Sequence, residues 1–229
     1  MTSYHRRAQI LAACLAALAG YVDAIGFLAT GGFFVSFMSG NSTRMGIGLT
    51  QENPAGAIAA GLIGAFLFGV IVGALAGNAA GRWRRTFVLI LVTMGLTGGA
   101  ALSATGETHF GVLSLAFAMG AENNMFERNG EVSLGVTYMT GGLVKLGQRI
   151  AAALQGRELF GWVSYLALWL SFVAGVVAGA LLYPRLELTG LWIAAGVAAS
   201  FAVVSLILDL QRKPRVAGSV LTPLVNDRT

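Results

Sequence analysis

The chain carries too little charge for a soluble protein of its length. Asp, Glu, Lys and Arg make up 11% of its 229 residues, against about a quarter in an ordinary soluble domain. The mean hydropathy is +0.74, so the polar surface needed to face water on every side is missing. Cysteine is nearly absent. Cys14 stands alone, which excludes an internal disulfide and makes no metal site by itself. His5 and His109 are the only histidines, and neither sits in a HExxH or paired-His spacing. No Gly-x-Ser-x-Gly elbow, phosphate loop or dinucleotide fingerprint is found. These absences argue against an enzyme and imply no cofactor or metal. Proline is scarce and the 32 glycines follow no G-X-Y period, which excludes collagen and Pro/Gly-rich disorder. A polytopic membrane protein remains.

Apolar runs are what the chain has in abundance. A helix crosses a bilayer in about 17 to 25 residues. Six runs meet or approach that length: Ala8–Leu28, Ala55–Ala80 after Pro54, Thr86–Ala104, the shorter Phe110–Met125, Gly161–Tyr183 stopped by Pro184, and Leu188–Leu208. Two semi-apolar stretches, Gly31–Leu49 and Val132–Leu154, are rich in Gly, Ser and Thr. They read as broken or re-entrant segments, with ordinary full spans as the alternative. His5-Arg6-Arg7 and Ala17-Leu18-Ala19 imitate a cleavable signal. The first segment is expected to be retained, because its apolar run continues past that point.

The net charge is +5. The basic residues flank the apolar runs in small groups: Arg6-Arg7, Arg82 to Arg85, Lys145 to Arg157, and Arg212 to Arg215. Six spans with cytoplasmic termini put all of these groups inside and leave Arg44 outside, as the positive-inside bias requires. A nucleic-acid partner is therefore not implied. The expected surroundings are a lipid bilayer, with a small solute or ion as ligand. A homo-oligomer stays open.

A shift of 101 residues overlays Val35-Ser36-Phe37-Met38-Ser39-Gly40 on Val136-Thr137-Tyr138-Met139-Thr140-Gly141. Arg44 then meets Lys145, Gly46 meets Gly147, and Asp23 meets Asn124. One residue later in register, Gly73 and Gly77 meet Gly175 and Gly179. The pattern predicts an all-α protein of about six spans in two three-helix repeats, roughly 8–105 and 109–209. Three spans per repeat inverts the second copy, an arrangement that recurs in transporters.

The glycines divide into two groups. Gly73, Gly77, Gly175 and Gly179 form small-xxx-small pairs suited to close helix packing. Gly31, Gly32, Gly40, Gly141 and Gly142 surround the ambiguous stretches and are candidate helix breaks. Among polar residues, Asp23 lies well inside an apolar run, where a carboxylate is costly. It reads either as a solute or coupling-ion ligand or as a carboxylate that caps the following loop or pairs with Arg44. Glu122, Asn123 and Asn124 form a second cluster. Asn41, Ser39, Thr140 and Tyr138 add uncharged hydrogen-bonding groups, and Arg44 and Lys145 suit either an anion or lipid phosphate.

Gly20-Tyr21-Val22-Asp23-Ala24, then Phe27, Gly31-Gly32-Phe33 and Phe37-Met38-Ser39-Gly40-Asn41, form a recognisable succession. It resembles the YoaK-like family of small bacterial inner-membrane proteins, a domain of unknown function. The resemblance runs from about Ala8 to Leu210, with Ser39 where the family pattern has Thr. It implies a bacterial integral inner-membrane protein and names no substrate. A transporter or channel for a small solute explains the repeat, the intramembrane polar residues and the glycine-rich breaks together. A membrane scaffold or assembly subunit is the alternative, with a membrane-embedded enzyme behind it.

Overall fold

The computed structural model describes residues 6–128, 131–132 and 137–211, with the side chains of 6–7, 127–128 and 131–132 left aside. His5, Gly130, Val136 and the basic tail Arg212 to Arg215 lie outside the described residues.

Eight α-helices run in order among the described residues. They are α1 (Arg6–Ala29), α2 (Met38–Thr50), α3 (Ala55–Ala80), α4 (Arg84–Ala104), α5 (Thr108–Glu122), α6 (Met139–Leu154), α7 (Val163–Leu186) and α8 (Leu191–Gln211). The β-structure is one minimal antiparallel pairing, β1 (Glu127–Arg128) with β2 (Glu131–Val132). Three apolar stretches among the described residues are long enough to cross a membrane: Ala8–Ala29, Ala55–Ala104 and Val163–Gln211. The protein is an all-α, multi-pass membrane type.

The second and third stretches contain 50 and 49 residues. As single helices they would reach about 75 Å, far beyond a hydrocarbon core of about 30 Å. Each is broken once. Gly81, at φ 51°, ends α3 and opens a short 3₁₀ turn before α4. Pro184 lies in the last turn of α7, and the chain reverses at Glu187, at φ 47°. Proline lacks the N–H that would continue the ladder and crowds the preceding turn. The helix therefore persists two residues past Pro184 and then stops.

Packing is organised for lipid. On α3 every buried position but Leu62 is Gly or Ala, including Gly69, Gly73 and Gly77. Phe68, Ile71 and Leu75 on the same helix point outward. Bulky outside and small inside suits a helix that gains nothing by hiding apolar surface from lipid and must gain from close contact. The interior is filled by Leu15, Val22 and Ile25 of α1, Leu89, Val92 and Leu96 of α4, Leu115 and Met119 of α5, and Leu191 of α8. The Tyr21 hydroxyl donates to the Gly190 carbonyl at 2.9 Å, tying α1 to the turn between α7 and α8.

Two helix crossings are built alike. Where α1 meets α7, Gly20 lies against the Phe172 carbonyl and Gly175 against the Ala17 carbonyl. Where α3 meets α5, Gly120 lies against the Phe66 carbonyl and Gly69 against the Phe117 carbonyl. None of the four has room for a Cβ. The equivalent residues are offset by 100 positions on α1 and α5, and by 106 on α3 and α7. Gly175 therefore answers to Gly69, and Gly179 to Gly73, rather than to Gly73 and Gly77 as a uniform shift suggests. Gly77 faces the Arg84 side chain rather than a neighbouring helix backbone.

Candidate functional site

Asp23 is 5% exposed and sits near the end of α1. Its Oδ1 accepts the backbone N–H groups of Val35, at 2.8 Å, and Ser36, at 2.9 Å. These amides belong to the non-helical chain that leads into α2. Buried backbone that leaves the helical ladder needs such partners. Asn41 serves the same segment from the other side. Its amide donates to the Phe34 carbonyl at 2.6 Å and accepts the Phe34 N–H at 3.0 Å. Asp23 and Asn41 thus fasten residues 34–36 in place.

The second half has a parallel fastening one residue away from where the 101-residue shift puts it. Asn123 accepts the Thr137 hydroxyl at 2.9 Å and donates to the Met119 carbonyl at 2.9 Å. Asn123 therefore occupies the place of Asp23, as Thr137 does that of Ser36. Asn124 turns toward α3, donating to the Val70 carbonyl at 3.0 Å in the space left by Gly73.

Gly31 and Gly32 lie at the break after α1, with φ 69° and 119°. The Arg44 guanidinium packs over Gly32 and stands 5.0 Å from the centre of the Phe33 ring. Gly40, Gly141 and Gly142 lie inside the first turns of α2 and α6 rather than in a break. Gly40 sits beneath the Phe37 ring and Gly141 beneath the Tyr138 ring. The shared aromatic-x-x-Gly pattern is a first-turn packing device in both halves.

Between the two fastened segments lies a cavity of about 630 Å³. Residues 36–39 form one wall and residues 137–140 the other, while Asn123 and, from α3, Phe66 and Val70 complete it. Ser39, Asn123, Tyr138 and Thr140 are brought together here. Asp23, Asn41 and Asn124 act behind the walls as fasteners. Arg44 and Lys145 are not among the lining residues. Nor is Glu122, which is 0% exposed, and both its carboxylate oxygens lack a hydrogen-bond partner among the described residues. It shares a helical stripe with Gly111, Leu115 and Ala118, which pack against α4.

The cavity lining carries hydroxyls, one amide, thioethers and aromatic rings, and no charged side chain. Such walls suit a small solute with a few hydrogen-bonding groups and an apolar body. Phe66 and Val70 were not legible as lining, because a lone Phe and Val in an apolar helix carry no signal of their own. A second polar cluster also escaped the sequence. The Thr86 hydroxyl donates to Asp209 Oδ2 at 2.8 Å and lies 2.9 Å from Ser205 Oγ.

The family model described as a protein of unknown function, DUF1275, matches residues 11–204. The chain belongs to the DUF1275 family. It is 37% identical over 183 residues to a UPF0700 transmembrane protein of Rhizobium meliloti (strain 1021), covering 80% of this chain and 79% of that one. No solved structure matches the chain significantly. The DUF1275 match takes in both fastened segments, the cavity walls and both glycine crossings.

Proposed function

We propose that this DUF1275 protein is a secondary transporter or channel for a small solute, bound between its two related halves. One observation carries the reading: residues 36–39 and 137–140, which match each other in sequence, face each other across one cavity. A binding site between repeats, lined by non-helical backbone and the first turns of short helices, is a recurrent transporter arrangement. The like-built crossings of α1 with α7 and α3 with α5 support two inverted repeats. The lengths of α2 and α6, 13 and 16 residues, support half-spans inside a six-span topology. On this reading the protein lies in the bacterial inner membrane beside the YoaK-like proteins, with both termini cytoplasmic, and performs no catalysis.

The test is uptake into proteoliposomes holding the purified full chain. The panel comprises labelled neutral amino acids, pentoses, hexoses and polyols. At least one is expected to enter faster than into protein-free liposomes, and Thr140→Val and Asn123→Ala to slow it about tenfold or more. Entry indistinguishable from protein-free liposomes across the panel, under both a proton and a sodium gradient, would refute the reading.

A further inference from the structure

A second cavity, of about 610 Å³, lies at the end of the bundle where α1 and α4 begin and α8 ends. We infer that it holds a membrane phospholipid, with the phosphate at Arg85 and one acyl chain along Leu11, Leu89, Phe201 and Val204. The lining changes character with depth. Arg85, Asp209 and Gln211 lie at the mouth, at the ends of their helices. Phe201 lies eight residues before Asp209 on α8, or about 12 Å deeper, and Leu89, four residues past Arg85 on α4, lines the wall between. A polar mouth over an apolar shaft of that depth has the profile of a lipid headgroup and the first part of its chain. Ile10, Val204 and Leu208 on the rim expose 47% to 57% of their surface, so the groove opens onto the face that meets lipid.

The charge at the mouth selects the headgroup. Asp209 is held against the wall by the Thr86 hydroxyl. Arg85 is half-buried and has no ion-pair partner among the described residues. A guanidinium meets a phosphate with two parallel hydrogen bonds and is the side chain best suited to that group. The apolar shaft gives a phosphate without a chain no further contact. The site is separate from the central cavity and does not depend on transport.

The experiment is native mass spectrometry of the full chain in mild detergent, titrated with dioleoyl phosphatidylglycerol, with dioleoylglycerol, or with inorganic phosphate. Retention of one phospholipid per chain is expected, with no retention of the phosphate-free diacylglycerol. Arg85→Ala is expected to raise the half-saturating lipid concentration about tenfold. Val204→Trp, which fills the shaft from an exposed position and leaves Arg85 intact, is expected to do the same. Equal lipid retention by the parent and both variants, each checked for native helicity by circular dichroism, would overturn the inference. Retention of inorganic phosphate in preference to the lipid would overturn it as well.

Discussion

Replacing Asp23 separates a fastener from an ion site. In Asp23→Ala the N–H groups of Val35 and Ser36 lose their shared acceptor. Val35 is 0% exposed and Ser36 5%, so water does not readily replace it. A buried donor left without a partner costs about 1–3 kcal/mol, and two of them about 2–6 kcal/mol. By the calibration for domains of 150–250 residues, each kcal/mol lowers Tm by about 2–4 °C. The alanine variant should therefore melt at least about 4 °C below the parent in detergent. Asp23→Asn keeps an oxygen of the same reach and loses only the ionisable group. It should recover at least half of that loss. The measurement is the thermal unfolding of parent and both variants, followed by intrinsic fluorescence of the four tryptophans. An alanine variant as stable as the parent would show that the two bonds do not hold the loop. An asparagine variant as unstable as the alanine would show that charge, not the acceptor position, is what the site uses.

Three further variants test the packing of the helices. Gly175→Leu drives a side chain into the Ala17 backbone, where neither partner can yield, and should cost more than the 1–3 kcal/mol typical of overpacking. Gly196→Ala lies mid-helix with nothing within 4 Å of the added Cβ, and should stabilise by about 0.5–1 kcal/mol. Comparable yields and melting temperatures for these two variants would undo the distinction between crossing and free glycines. Glu122→Gln keeps the shape of a side chain that has no hydrogen-bond partner among the described residues and removes the cost of desolvating a carboxylate. Its melting temperature should equal or exceed the parent's, and a fall worth more than about 1 kcal/mol would reveal a contact that only the carboxylate makes.

The helices were legible and the register of the second half was not, for a physical reason. Proline and long apolar runs are local signals. Pro54 and the run behind it gave α3 its bounds to the residue, and the onset of α4 moved by only two. Pro184 gave the end of α7 to within three residues. Which residue meets the loop depends on how many residues link it to that loop. The match of α1 with α5 is already offset by 100 residues at the glycine crossings. The chain from Asn123 to Thr137 is one residue longer than that from Asp23 to Ser36. A constant shift of 101 residues therefore selects Asn124, whereas Asn123 meets Thr137. The glycine crossings slipped for a related reason, since the link from α5 to α7 is longer than that from α1 to α3 and changes the offset from 100 to 106.

The two walls of that cavity are not equally secured. Gly48 of α2 packs directly on Gly56 of α3, backbone against backbone, and both Gly48 and Asn41 are buried. The matching place in the second half holds Arg149 near Gly161. An arginine cannot enter a backbone-to-backbone contact. It reaches outward to Glu158 instead, in an ion pair whose side chains are 35% and 59% exposed. Exposed pairs of this kind contribute about 0–1 kcal/mol. No residue of α6 is buried, whereas α2 is seated. Displacing the α6 wall from the cavity therefore costs less than displacing the α2 wall. On the proposed transport reading, unequal anchoring lets one wall stay fixed while the other yields, so that the site opens on one side at a time.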